Sequence, residues 1–189
     1  MSLNAPAERY ITMSNWAWVD VETTGVDIEK DKVLEIAVIV TNSELVELAE
    51  LDLVINDYAD PNFIINPFVL DLHTRNGLWT EIVNHGIGIV EANERLGNFL
   101  TDNLGGRKQL IQAGSGVSHF DSKFIAKNFP EASKLLTFWT NDAAILKRAF
   151  EAAGFKSPKK GRKDTRGLAD VRQHIEEWKG YVEKLKGVV

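Results

Sequence analysis

The stretch Trp16-Ala17-Trp18-Val19-Asp20-Val21-Glu22-Thr23-Thr24-Gly25 decides how this chain is read: an apolar run ends there in two carboxylates, two hydroxyls and a glycine. Residues i and i+2 of a strand face the same side, so Asp20 and Glu22 are expected side by side where the strand stops. Like charges that close repel, and a divalent cation relieves the repulsion; hard ions such as Mg²⁺ are held by carboxylate oxygens together with phosphates and water. The same letters also suit a solvated strand end followed by ordinary Thr-Gly turn chemistry.

Bulk properties narrow the choice of function. With 189 residues, 44% of them hydrophobic and 26% charged, the chain is globular and long enough to bury a core. A loose, polar arm is expected over residues 1–14 and a single domain over 15–189. The absence of cysteine excludes disulfides, thiolate metal sites and a cysteine nucleophile, so any metal takes oxygen or histidine ligands. No run approaches the roughly 18 to 20 apolar residues of a membrane span, and the N-terminus lacks a charged-then-apolar leader pattern. The expectation is a cytoplasmic protein with no membrane partner. A formal net charge of -5 argues against a general nucleic-acid coating protein but leaves room for an enzyme with a local basic patch.

Outward from the opening stretch, Val33 to Val40 is nearly continuous in apolar residues, the mark of a strand buried on both faces. Glu35 interrupts that run and reads as structural. Ala49, Leu51, Leu53 and Ile55 alternate with Glu50, Asp52 and Val54, predicting a third strand antiparallel to the second. Residues 56–67 read as a surface connection, and Phe68 to Leu78 as helix broken at Gly77. Apolar spacing from Ile89 to Leu104 predicts a scaffold helix ending at Gly105-Gly106.

A short strand over Leu110 to Gly114 leads into Ser115-Gly116-Val117-Ser118-His119-Phe120-Asp121, where Ser118 is expected to cap a helix with Asp121 in its first turn. A weak strand near Phe138 to Thr140 and a helix from Asp142 to Ala153 follow. The segment from Gly154 to Arg166 is a glycine- and proline-punctuated loop with six basic residues. The last helix carries a stripe of Leu168, Val171, Ile175, Trp178, Val182 and Leu185, with Asp170 off the stripe near its start.

Acidic residues thus stand near the ends of three separate segments: Asp20 with Glu22, Asp121, and Asp170. This pattern resembles the DEDD superfamily of 3′-to-5′ exonucleases. Asp20-Val21-Glu22-Thr23-Thr24-Gly25 is similar to its first motif, His119-Phe120-Asp121 to the end of its second, and Asp170-Val171-Arg172 to its third. Within the superfamily the likeness is nearest to oligoribonuclease, over about residues 16–180. Phe68 and His73-Thr74-Arg75-Asn76-Gly77-Leu78 resemble a Trp-x4-His-Thr-x-Ser-Gly-Leu stretch of that family, whose histidine contacts substrate phosphate.

The resemblance implies an α/β fold of the ribonuclease-H-like kind: a mixed five-stranded sheet flanked by helices, with strands one to three antiparallel. It implies a homodimer that cleaves short single-stranded RNA or DNA from the 3′ end to nucleoside monophosphates. It further implies Asp20, Glu22, Asp121 and Asp170 as catalytic ligands of two divalent ions, Mg²⁺ or Mn²⁺, about 3.5 to 4 Å apart. Thr23, Thr24, Gly25, Val26, Phe68, His73 and Arg166 become substrate-binding by the same likeness, Val26 standing where the family often wedges a leucine against bases.

The departures are equally specific. Where the histidine branch has its general base, five residues before the last aspartate, this chain has Thr165; where the tyrosine branch has its tyrosine, it has Arg166. Gly116 and Val117 stand where some relatives have His-Asn. Losing a positioned base typically forfeits about 10² to 10⁴ in rate. His174 and His119 are the alternative candidates for that role, each with an ordinary surface reading beside it. Two functions are therefore carried forward: a working exonuclease lacking the usual base, and a weak or silent relative that binds nucleic acid or nucleotides. The basic loop, through Lys159, Lys160, Arg162 and Lys163, is expected either to grip phosphates over the site or to be solvated surface.

Overall fold

The computed structural model describes residues 14–57, 66–157 and 165–187. A five-stranded sheet runs in the order β3-β2-β1-β4-β5, formed by β1 (Trp16–Thr23), β2 (Val33–Thr41), β3 (Glu47–Val54), β4 (Leu110–Gly114) and β5 (Leu136–Asp142). β1, β2 and β3 form an antiparallel meander, whereas β4 joins β1, and β5 joins β4, in parallel. Helices α1 (Pro67–Arg75), α2 (Leu78–His85) and α3 (Ile89–Asp102) connect β3 to β4. Helices α4 (Asp121–Asn128) and α5 (Pro130–Ser133) connect β4 to β5, and α6 (Ala143–Ala152) and α7 (Leu168–Lys186) follow.

The alternation expected of a strand is what assigns β1 its two neighbourhoods. Ala17, Val19 and Val21 pack with Ile36, Val38, Val40, Leu96, Leu100, Phe124 and Ile125 on the side of α3 and α4. Trp16 and Trp18 pack with Ala37, Ile39, Val171 and Ile175 on the side of α7. Trp178 of α7 meets both tryptophans edge-on, at centroid separations of 5.6 and 5.9 Å. Trp18 donates its indole N–H to Thr41 Oγ1 at 3.0 Å, so its polar atom is satisfied inside the core. β2 is buried at every position, Glu35 included, as its nearly continuous apolar run predicts.

This packing positions the site. Trp16, Trp18, Asp20 and Glu22 share one face of β1, and the tryptophans hold α7 against that face. The two carboxylates therefore emerge beside the start of α7, where Asp170 lies in the first turn.

Three local expectations change. Ser118 does not cap α4: Phe120 is the residue before the helix and makes no side-chain cap bond, because the Ser118 hydroxyl bonds to Asp142 Oδ2 at 2.5 Å instead. The buried stripe of α7 drifts after Trp178. Tyr181 is buried, and Leu185 is 48% exposed; once the helix runs past the sheet it packs on α6 through contacts such as Tyr181 with Phe150. Asp142 belongs to β5 and caps α6 through Ala144 N at 2.9 Å, rather than opening the helix. Of the expected N-terminal arm only Ser14 is described, and residues 58–65 of the connection also lie outside the described residues. Among the described residues no helix is long and apolar enough to cross a membrane.

Candidate active site

Three carboxylates converge where β1 ends. Asp20, Glu22 and Asp170 each offer an oxygen, and the three atoms lie within 4.8 Å of one another. Burial pushes the Asp20 carboxyl well above its usual range, and Asp121, Glu22 and Asp170 add repulsion. Burial, then Asp170, raises Glu22 to about 7, with the Arg166 guanidinium opposing. Such shifts record first the burial of these carboxyls and then the negative charge gathered around them. An all-oxygen set of this kind fits a hard divalent ion, so the residues present suit the metal implied by their pattern.

Asp121 reaches the same strand end from the other side. Its Oδ1 accepts the backbone N–H of Val21 at 3.0 Å, tying α4 to β1 between the two carboxylates of the first motif. Burial raises it to about 7, against the lowering pull of that hydrogen bond. It is not one of the three residues whose oxygens cluster.

The loop that delivers Asp121 is held by Asp142. Gly116 N donates to its Oδ1 at 2.9 Å, Ser118 N to its Oδ2 at 3.2 Å, and Ala144 N to its Oδ1 at 2.9 Å. Burial alone would raise this carboxyl, yet these bonds and the Ser118 hydroxyl hold it below its ordinary value. Sequence reading placed Asp142 only at a helix start; an aspartate before Ala143-Ala144 was the available signal.

Around Asp170 the side chains form a small network. The Thr165 hydroxyl donates to Asp170 Oδ1. Gln173 Nε2 donates to Thr165 Oγ1 at 2.5 Å and to Asp170 Oδ1 at 3.0 Å. Gln173 escaped the sequence reading, although its i+3 spacing from Asp170 puts both on one helical face. Arg166 turns its guanidinium to Glu35, a buried carboxyl that burial and the adjacent Asp52 push up to about 9 while Arg166 opposes.

The predicted substrate-binding residues divide into two groups. Thr23, Thr24 and Gly25 form a tight loop: Thr23 Oγ1 donates to Gly25 O at 2.5 Å, and Thr24 Oγ1 donates to Asp31 Oδ1 at 2.9 Å. Asp31 Oδ2 also accepts Asp27 N at 2.8 Å, and the loop thus presents Val26 at 85% exposure. Phe68 is likewise exposed. His73 is buried instead, with Nε2 3.2 Å from Thr23 O and 3.8 Å from Glu22 Oε2. Burial lowers its pKa, which favours the neutral ring.

His119 is exposed and bonds through Nδ1 to the Ser118 hydroxyl at 2.7 Å. Among the described residues neither His119 nor His174 joins the carboxylate cluster. Lys159, Lys160, Arg162 and Lys163 lie outside the described residues.

With this geometry in place, comparison with known proteins gives the family. The exonuclease family profile matches residues 17–177. The chain belongs to the exonuclease family. This exonuclease chain is 31% identical to the oligoribonuclease of Mycobacterium sp. (strain KMS) over 169 residues, covering 87% of the chain and 78% of that protein. It is also 31% identical to an oligoribonuclease of Arabidopsis thaliana, with 87% and 75% covered.

Among solved structures it superposes on the zinc-bound complex of E. coli exonuclease I with single-stranded DNA, with a TM-score of 0.67 at 15% identity. A ligand-free exonuclease I gives 0.67 at 17% identity, covering 91% of this chain and 42% of the other. At these identities the likeness shows the fold, and the chain spans about 40% of the length of the E. coli exonuclease I structure. The mixed sheet flanked by helices is that of the ribonuclease-H-like exonucleases.

Proposed function

We propose that this chain is a divalent-metal-dependent 3′-to-5′ exonuclease that trims short single-stranded RNA or DNA to nucleoside 5′-monophosphates in the cytoplasm. The observation that carries this reading is the convergence of Asp20, Glu22 and Asp170 within 4.8 Å at the end of β1. Those three residues hold the ions, and Asp121 completes the set. Two Mg²⁺ or Mn²⁺ ions supply, when bound, a nucleophile at neutral pH and charge stabilisation for the leaving 3′ oxygen.

The chain's own residues perform the rest. The Thr23-Thr24-Gly25 loop aims Val26 at a base face, and exposed Phe68 offers a second apolar surface of the kind on which bases stack. His73 holds the end of β1 through Thr23 O, close enough to Glu22 to turn to a phosphate once cations occupy the site. Arg166, four residues before Asp170, offsets the negative charge at Glu22. The loop bearing Lys159, Lys160, Arg162 and Lys163 supplies the phosphate attraction that an acidic chain otherwise lacks. The domain spans residues 15–189. Self-association into a homodimer is supported by the open edge of β5, where Phe138 is 97% and Trp139 64% exposed.

One observation favours a second reading, a slow or silent relative that binds nucleic acid. Thr165 gives its hydrogen to Asp170, so no side chain at that position takes a proton from an attacking water. The deciding experiment is degradation of a 5′-labelled RNA a few nucleotides long, with Mn²⁺, Mg²⁺ or chelator, by the natural chain and its Thr165→His variant. Stepwise loss from the 3′ end, blocked by chelator, is the expected result for the natural chain. Cleavage by the histidine variant alone makes the natural chain a silenced enzyme or a binder. Cleavage by neither overturns the exonuclease reading.

A further inference from the structure

We propose that Thr165 and Gln173 form a positioning pair that clamps one oxygen of Asp170 and so presets the other for a divalent cation. The inference rests on the metal-site reading above and names residues that the reading leaves without a task.

Both donors converge on a single atom. Thr165 Oγ1 donates to Asp170 Oδ1, and Gln173 Nε2 reaches the same oxygen at 3.0 Å while also donating to Thr165 Oγ1 at 2.5 Å. Asp170 Oδ2 lies outside these bonds. A carboxylate with two free oxygens can rotate or bind an ion through both; one whose Oδ1 is held from two directions presents Oδ2 alone, in one orientation.

The clamp has a fixed base on each side. Gln173 lies three residues beyond Asp170 on α7, so the helix itself places its amide against the carboxylate. Thr165 sits on a pinned segment: Arg166 is tied to buried Glu35, and Gly167 has φ +56°. A Cβ at Gly167 would stand 2.8 Å from Glu35 Oε1 and 3.1 Å from Asp52 Oδ2, so the backbone passes close over those carboxyls. The position that lacks a base is thus occupied by half of an orienting device.

The test reads ion affinity without catalysis: Mn²⁺ binding by calorimetry to the whole chain, with thermal unfolding recorded to confirm folding. Thr165→Val and Gln173→Met, both close in size to the natural residues and both without a donor or an added charge, are expected to weaken Mn²⁺ binding by about 10- to 100-fold. Thr165→Ser, which keeps the hydroxyl, is expected to bind as the natural chain does. In the double variant the two losses fall short of additive, because the donors share one acceptor.

Either single variant suffices if the other does not fold. Natural affinity in a folded Thr165→Val or Gln173→Met chain overturns the pairing and leaves the metal site standing. A natural chain that binds no Mn²⁺ overturns the metal site and the pairing together.

Discussion

Two acidic regions, one buried and one half-buried, border each other in this protein and are compensated in opposite ways. At Asp142 the burial of a carboxylate is offset by donors from Gly116, Ser118 and Ala144, and the group stays readily ionised. At Asp20 and Glu22 the neighbours include further carboxylates, Asp170 among them, and the charge stays costly. Burial pushes the carboxyl up in both places; what differs is who supplies the positive end of the interaction. A fully bonded carboxylate builds a loop, whereas an uncompensated cluster stores the affinity for a cation. Burial and acidity alone would not separate the two.

Breaking the cluster should have the largest effect. Asp20→Asn is expected to reduce hydrolysis of a labelled oligonucleotide to the level seen with chelator, while raising the thermal midpoint of the ion-free protein by removing one repelling charge. Retained metal-stimulated cleavage would remove Asp20 from the ligand set. Asp142→Ala should do the reverse. It leaves three backbone donors unpaired and removes the acceptor of the Ser118 hydroxyl, and chemical denaturation should show a loss of about 2 to 4 kcal/mol. A change below about 0.5 kcal/mol would make that network decorative.

The contrast also has a pH signature. Glu22 and Asp121 are raised from ordinary values of 4.5 and 3.8 to about 7 in the folded chain. Between those values the folded state keeps protons that the unfolded state has released, so ion-free stability should fall as pH rises from about 4 to 7. Thermal unfolding at several pH values, with and without Mn²⁺, measures this. The ion should stabilise more at pH 7 than at pH 5, and a pH-independent increment would contradict the shared origin of the shifts.

The smallest effect is expected at the loop beside the cluster. A methyl group at Gly25 would stand 2.4 Å from Asp31 Oδ2. Gly25→Ala should therefore push Asp31 off Thr24 and Asp27, costing about 1 to 3 kcal/mol and raising KM for short oligonucleotides more than it lowers kcat. Equal effects on both would place Gly25 in the chemistry rather than in substrate alignment.

The sequence by itself determined the frame and most of the carboxylates. Periodicity set the meander of β1 to β3 and the helix stripe as far as Trp178. The i and i+2 spacing put Asp20 and Glu22 on one face, because alternation is a property of the extended backbone and needs no partner. Tertiary structure decided everything that depends on which loop meets which strand. It gave Ser118 to Asp142 rather than to α4, buried Tyr181 where α7 outruns the sheet, seated His73 behind Thr23 and bound Arg166 to Glu35 across 131 residues of sequence. Such pairings follow from packing over long sequence separations, which no local spacing encodes. Thr165 illustrates both: its letter departs from the histidine that the resemblance leads one to expect, and only the folded chain showed what the hydroxyl holds.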